Sequence, residues 1–148
     1  ALGVARGAID DVVALAREKT RMGEGNSIAH KLTFQRDLSH HEGMWRAAQR
    51  LVVTTFTDME ARIEAGEDLT PAMRCDMRIA ATYATEACRE VVQWTHLAAG
   101  TTAIREGSRL ERAFRDMYTG TQHAFISENT YTEAGKLMLG LIEDSPAL

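Results

Sequence analysis

The chain has 148 residues, with 17 Lys+Arg against 21 Asp+Glu, a formal net charge of −4 and 45% hydrophobic residues. A chain of this size is expected to form one domain whose core needs no disulfide or metal to hold it together. Its mildly acidic charge offers no broad cationic face to a nucleic-acid backbone. No apolar run approaches the roughly 20 residues of a bilayer span, so neither nucleic acid nor membrane is an expected partner.

Apolar residues recur three or four positions apart almost everywhere, which predicts an all-α chain. The first predicted helix runs from Leu2 to about Met22 and stops at the turn-rich residues 23–27. The second runs from Leu32 to about Ala65, and Gly66 ends it.

Capping residues mark the later helices. Thr70 followed by Pro71 is typical of a helix start, and Gly100 is typical of a helix end. Ser108 and Glu111 form a capping box for the next helix. The predicted helices span about 71–99, 108–125 and 129–141. The many alanines of the third helix predict close approach to a neighbouring helix.

Short connections between these helices favour antiparallel neighbours. The predicted fold is an up-and-down four-helix bundle with an additional C-terminal helix, and residues 1–148 form a single domain. The first helix starts without a lead-in segment, so we expect the chain to be the C-terminal part of a longer protein.

The two cysteines, Cys75 and Cys88, fall 13 positions apart in one predicted helix. That spacing separates them by about 20 Å along the axis, so they cannot bridge each other. Free thiols and an N-terminus without signal-peptide features predict a cytoplasmic protein.

Metal binding is not expected. A carboxylate-bridged metal pair in a helical bundle needs Glu-x-x-His on two helices, and no Glu here has His at the third following position. The adjacent His40 and His41 point to two faces of one helix, and we expect both at the surface. Four arginines form a local cationic cluster, and we expect most of them on a solvated helix face: Arg105, Arg109, Arg112 and Arg115.

The most informative segment lies near the end of the fourth predicted helix. Helical spacing places Asp116, Thr119, Gly120 and His123 together on a polar face. Glycine in mid-helix costs about 1 kcal/mol relative to alanine, so Gly120 suggests that something approaches the backbone there. From helical geometry alone, a solvated His123 is still favoured over a functional one.

Three short runs carry a family resemblance: residues 97–100 (LAAG), 110–116 (LERAFRD) and 122–123 (QH). Their order and spacing resemble the C-terminal helical domain of the acyl-CoA dehydrogenase superfamily, over essentially the whole chain. In the dehydrogenases, the residue eight positions after the Asp of the Arg-Asp pair is a catalytic Glu. That position is Ala124 here, and His123 precedes it. The pattern is therefore similar to the two-component flavin-dependent monooxygenase branch.

This resemblance implies an oxygenase that hydroxylates a small organic substrate. Reduced flavin, FMN or FAD, would arrive from a partner flavin reductase and react with O₂ to give a C4a-hydroperoxide. His123 is the implied catalytic residue, either taking a substrate proton or hydrogen-bonding the peroxide. Phe114 and Phe125 are candidates to exclude water from the site.

Four cofactor-binding residues are also implied: Arg21, Gln35, His96 and Gly100. Arg21 stands near the position of the dehydrogenase Arg-x-x-Phe-Gly motif, and residues 96–100 replace its Gln-x-x-Gly-Gly element. The family's N-terminal helical and central β domains supply much of the flavin pocket, so this domain alone is not expected to bind flavin or to be active. The resemblance also implies a homotetramer.

Two other functions stay open. One is an acyl-CoA dehydrogenase with a displaced base, acting on a CoA thioester; bleaching of its oxidised flavin by an acyl-CoA, without a reductase, would identify it. The other is a non-catalytic helical oligomerisation domain, for which the complete protein would bind no flavin.

Overall fold

A computed structural model describes residues 1–148 and contains five α-helices: α1 (Leu2–Glu18), α2 (Leu32–Glu64), α3 (Pro71–Ala99), α4 (Arg109–Gly120) and α5 (Asn129–Met138). Short 3₁₀ turns, Ile28–His30 and Gly100–Thr102, precede α2 and follow α3. The only strand-like pairing is a single bridge between Thr20 and Ser27. The predicted all-α class is confirmed.

Helices α1 to α4 run alternately up and down. The Trp45 indole N–H of α2 donates to the carbonyl of Leu2, at the start of α1, at 3.0 Å. The Arg109 guanidinium, at the start of α4, pairs with the Asp11 carboxylate, well along α1, at 3.0 Å. Helix α5 packs against α3. The architecture is therefore the predicted bundle with an additional C-terminal helix.

The main core lies where α1, α3 and α4 meet, and its largest fully buried apolar side chains include Ile9, Val12, Val91 and Val92. Each such side chain contributes about 1.5–3 kcal/mol of transfer free energy. A second cluster, Ala48 with Ala84 and Ala87, joins α2 to α3. The predicted close approach of the alanine-rich helix is confirmed.

Local capping chemistry fixes the helix ends that were predicted best. The Thr70 hydroxyl accepts the Met73 N–H at 3.2 Å, so α3 starts at Pro71 as predicted. Gly66 adopts φ +82°, and the N–H of Glu67 donates back to the Arg62 carbonyl at 3.0 Å. This is the left-handed cap that ends α2.

Three helices end earlier than predicted. Helix α1 stops at Glu18, not Met22, because the chain folds back and the Lys19 carbonyl accepts the Ile28 N–H at 2.9 Å. Helix α5 stops at Met138, not Leu141, because Gly140 adopts φ +67°.

Helix α4 stops at Gly120, not Phe125. The Thr121 hydroxyl donates to the Tyr118 carbonyl at 2.8 Å and so takes up a backbone acceptor of the last turn. Residues 121–127 form turns and bends. The predicted polar face therefore breaks before His123, and Gly120 is the last helical residue, not a mid-helix one.

Both cysteines lie in α3, and both are buried and free. Burial raises the pKa of the Cys88 thiol to about 11. None of the helices combines the length and apolar character needed to cross a bilayer.

Candidate functional site

His123 lies in the turn after α4, and its side chain is exposed. The Phe125 N–H donates to the His123 Nδ1 at 3.2 Å. The two rings also contact each other, with centroids 5.5 Å apart and planes tilted by 31°. The imidazole is therefore held by the residue two positions later in the same turn, not by a helical face.

Phe125 connects this turn to α3. The Arg78 guanidinium lies over the Phe125 ring, with its carbon 4.6 Å from the centroid. The Arg78 Nη2 also donates to the Thr130 hydroxyl, in the first turn of α5, at 3.3 Å. Arg78 thus ties both the His123 turn and the start of α5 to the first half of α3.

Helix α5 has a second attachment to α3. The Tyr131 hydroxyl donates to the Glu86 carboxylate at 2.7 Å. Burial, reinforced by the hydrogen bond to Glu86, raises the pKa of Tyr131. This pair fixes α5 beside the segment of α3 that carries Arg78.

Of the two predicted shielding residues, Phe125 lies against His123. Phe114 packs instead between the His96 ring, at 4.5 Å, and the Tyr118 ring, also at 4.5 Å. Phe114 therefore belongs to the contact between α3 and α4.

The four predicted cofactor residues lie together at the other end of the bundle. The Arg21 guanidinium is exposed, and its Nη2 donates to the Ala98 carbonyl at 3.3 Å. The Gln35 side chain is exposed as well, and its Nε2 donates to the Ala29 carbonyl at 2.9 Å. Both keep further polar atoms free for a ligand.

His96 and Gly100 complete this group at the end of α3. His96 is half-buried against Phe114. Gly100 ends the helix with φ +59° and ψ −141°, a conformation that is strained for residues with a Cβ. Gly100 is thus explained by the backbone of this turn, whether or not a ligand binds there.

His123 and the cofactor group do not share a site within one copy of the chain. The His123 turn is anchored at Arg78, and Arg21 is anchored at Ala98. These two residues of α3 are 20 positions apart, which corresponds to about 30 Å along the helix axis. Within one copy, the structure places them at opposite ends.

The family model described as "Acyl-CoA dehydrogenase, C-terminal domain" matches residues 1–128. The chain belongs to this family. That match includes α1 to α4 and the His123 turn, and it ends just before α5.

Among known proteins, this acyl-CoA dehydrogenase C-terminal domain is 31% identical over 140 residues to an indole-3-acetate monooxygenase of Acinetobacter baumannii, covering 95% of the chain and 36% of the relative. It is 27% identical over 139 residues to an indole-3-acetate monooxygenase of Pseudomonas putida, covering 94% and 36%. The chain therefore spans about a third of these relatives' length.

Among solved structures, XiaF from a Streptomyces species, in complex with FADH₂ and glycerol, superposes with a TM-score of 0.91 at 21% identity, covering 99% of this chain and 38% of that one. This likeness shows that the whole chain, including α5, shares its fold with the corresponding part of that structure.

Sequence reasoning missed several contacts of the acyl-CoA dehydrogenase C-terminal domain. His41, predicted at the surface, is half-buried and stacks on Trp94 of α3 with ring centroids 4.5 Å apart. Its Nδ1–H donates to the Asp37 carbonyl at 2.7 Å. His40 is exposed, as predicted. The residues around His41 in the sequence gave no indication of this stacking, because Trp94 lies 53 positions later.

Lys19 was also missed. Its ammonium donates to the Ala99 carbonyl at 2.8 Å and to the Thr102 hydroxyl at 2.7 Å, and so caps the end of α3 beside Gly100. A cation at a helix C-terminus also interacts favourably with the helix dipole. The one feature of the sequence that could have drawn attention to Lys19 is its position two residues before Arg21.

The arginine cluster forms ion pairs in part. The Glu111–Arg115 pair is present at 3.4 Å, and Arg109 binds Asp11. Arg105 and Arg112 make no ion pair, and all four arginines are exposed. This agrees with the predicted solvated face.

Proposed function

We propose that this chain is the helical domain of a reduced-flavin-dependent monooxygenase, the oxygenase component that hydroxylates a small organic substrate. The observation that carries the proposal is the 31% identity with an indole-3-acetate monooxygenase over 95% of the chain. His123 followed by Ala124 supports it, since a methyl group cannot act as a dehydrogenase base. The relatives' name makes aromatic acids such as indole-3-acetate the first substrates to test.

The residues at the Arg21 end fit a flavin chemically. A phosphate of FMN or FAD would be bound by the exposed Arg21 guanidinium, which has donors left after its bond to Ala98. The free carbonyl oxygen of Gln35 would accept a flavin N–H or ribose hydroxyl. When bound, the reduced flavin supplies the electrons that activate O₂.

His123 is proposed to act at a second location, where its imidazole holds or moves a proton beside the reacting oxygen. Phe125 contacts that ring, and we propose that it helps to exclude water from the ring once the active site is assembled. Because His123 and Arg21 are anchored about 30 Å apart along α3, we propose that each copy contributes to two active sites.

A homotetramer would bring these ends together between copies, and we propose this assembly. Exposed apolar side chains on α2 and α3 support a further interface: Leu51, Val53, Ile63 and Leu97. We also propose a flavin reductase as partner and the cytoplasm as location, in keeping with two buried free thiols.

Replacement of His123 by Ala in the full-length protein tests the proposal. We expect reduced flavin to bind as before, while the rate of hydroxylation falls by about 10²-fold and released H₂O₂ rises. His40→Ala, at an exposed histidine of α2, is the matched control and should leave the product ratio unchanged.

An unchanged ratio of hydroxylated product to H₂O₂ in His123→Ala would overturn the role of His123. Bleaching of bound oxidised flavin by an acyl-CoA, without a reductase, would overturn the monooxygenase assignment itself.

A further inference from the structure

The exposed imidazole of His123 is oriented by one hydrogen bond and one ring contact. The Phe125 N–H donates to Nδ1, so Nδ1 must be unprotonated in this geometry. The single N–H of the neutral ring then lies on Nε2 and is free to donate to a ligand. The same turn thus sets both the orientation and the tautomer of the ring.

Phe125 is in turn held by a cation that has no anionic partner. Arg78 is half-buried, its Nε is buried without a hydrogen-bond partner, and no carboxylate forms an ion pair with it. Its contacts on this side are the Phe125 ring at 4.6 Å and the Thr130 hydroxyl at 3.3 Å. Since no carboxylate competes for the guanidinium, its contact with the aromatic ring is retained.

We infer that Arg78 is a positioning residue which, through Phe125, holds His123 as an Nε2–H donor. The inference rests on the proposed function of His123 and specifies it: the imidazole donates a hydrogen bond to an oxygen atom and does not take a proton from the substrate. Arg78 itself need not touch the substrate or the flavin.

A physical reason favours this arrangement over a purely local turn. Residues 121–127 form turns and bends in which the Ile126 N–H donates to the His123 carbonyl at 2.8 Å, but the exposed Phe125 ring needs a contact outside the turn to be held in place. The Arg78 contact supplies that fixed point from the rigid helix α3. Without it, Phe125 and the His123 ring regain rotational freedom.

The test measures the tautomer directly in the full-length protein. Histidine labelled with ¹⁵N in the ring is incorporated, and solid-state NMR shifts distinguish Nδ1–H from Nε2–H; the His123 signal is identified by its loss in His123→Gln. We expect Arg78→Met to change the tautomer ratio by about two- to fivefold, as removal of one cation–π contact allows. The ratio of product to H₂O₂ should fall in parallel.

Conservative and matched variants separate positioning from folding. Arg78→Lys keeps a cation over the ring and should restore both the tautomer ratio and the product ratio. Phe125→Leu keeps an apolar side chain without a ring and should behave like Arg78→Met. Arg89→Met, at an exposed arginine of the same helix, should change neither.

Wild-type His123 shifts in Arg78→Met and Phe125→Leu would overturn the inference, and so would failure of Arg78→Lys to restore them. The result is distinct from failure of the proposed function. If His123→Ala leaves the product ratio unchanged, His123 is not catalytic, whereas the tautomer shifts still report whether Arg78 positions it.

Discussion

Lys19 is expected to stabilise the end of α3 that carries His96 and Gly100. Its ammonium makes two hydrogen bonds, at 2.8 Å to the Ala99 carbonyl and at 2.7 Å to the Thr102 hydroxyl. A hydrogen bond to a charged group contributes about 1.5–3 kcal/mol, and a cation at a helix C-terminus about 0.3–1 kcal/mol. Lys19 is only half-buried, so solvent screening reduces the total. We predict that Lys19→Met costs about 1–2 kcal/mol, localised to residues 100–103.

Native-state hydrogen exchange of the full-length protein, followed by mass spectrometry, measures this local cost. The predicted loss corresponds to about 5- to 30-fold faster exchange at the Ala103 N–H, which donates to the Gly100 carbonyl. Arg17→Met, at an exposed cation in the last turn of α1, is the control. Unchanged exchange at residues 100–103, or equal acceleration in the control, would refute the reasoning.

Three further predictions concern stability. The hydrogen bond from Arg6 holds the pKa of Glu42 below its usual value of 4.5. The unfolded chain therefore binds more protons in acid than the folded chain does. The stabilisation by Glu42 is present above about pH 4.5 and is lost as the pH falls through the lowered pKa. Glu42→Gln should cost about 1 kcal/mol at pH 7 and nothing in strong acid, measured as urea midpoints against pH; a constant difference would contradict this. Ile9→Ala, at a side chain only 1% exposed, should lower the free energy of unfolding by about 2–5 kcal/mol with an unchanged urea m-value. A decrease below about 1 kcal/mol would contradict this, because it would mean that the core had collapsed around the site. Gly100→Ala should cost about 1–3 kcal/mol because of its φ of +59°. Gly43→Ala, inside α2 with nothing within 4 Å of the added Cβ, should instead stabilise by about 0.5–1 kcal/mol. Thermal melts of both variants measure this, and stability changes of the same sign would argue against the backbone explanation.

The sequence predicted the fold where the deciding chemistry is local. Thr70 and Pro71 placed the start of α3 correctly, because a capping hydroxyl and a proline act on their own turn. The end of α4 was wrong by about five residues. No strong terminator follows Gly120, and the following turn is tied to α3 by the contact of Phe125 with Arg78, 47 positions earlier.

The candidate site was predictable only in part for the same reason. A resemblance in short runs of sequence pointed to His123, Arg21 and Gly100, and their roles are still predictions. Spacing along one helix placed His123 on a polar face that does not exist beyond Gly120. The contacts of Arg78 and His41 depend on how separate helices pack, which the residue pattern of a single helix does not encode.

The separation of Arg78 and Ala98 by 20 positions of α3 has one further consequence for mixed assemblies. In the proposed assembly, a subunit substituted at His123 would still present an intact Arg21 end to its neighbour. Co-assembly of His123→Ala subunits with Arg21→Ala subunits should therefore restore some intact active sites from two inactive variants. The rigid helix confines the effect of each substitution to its own end.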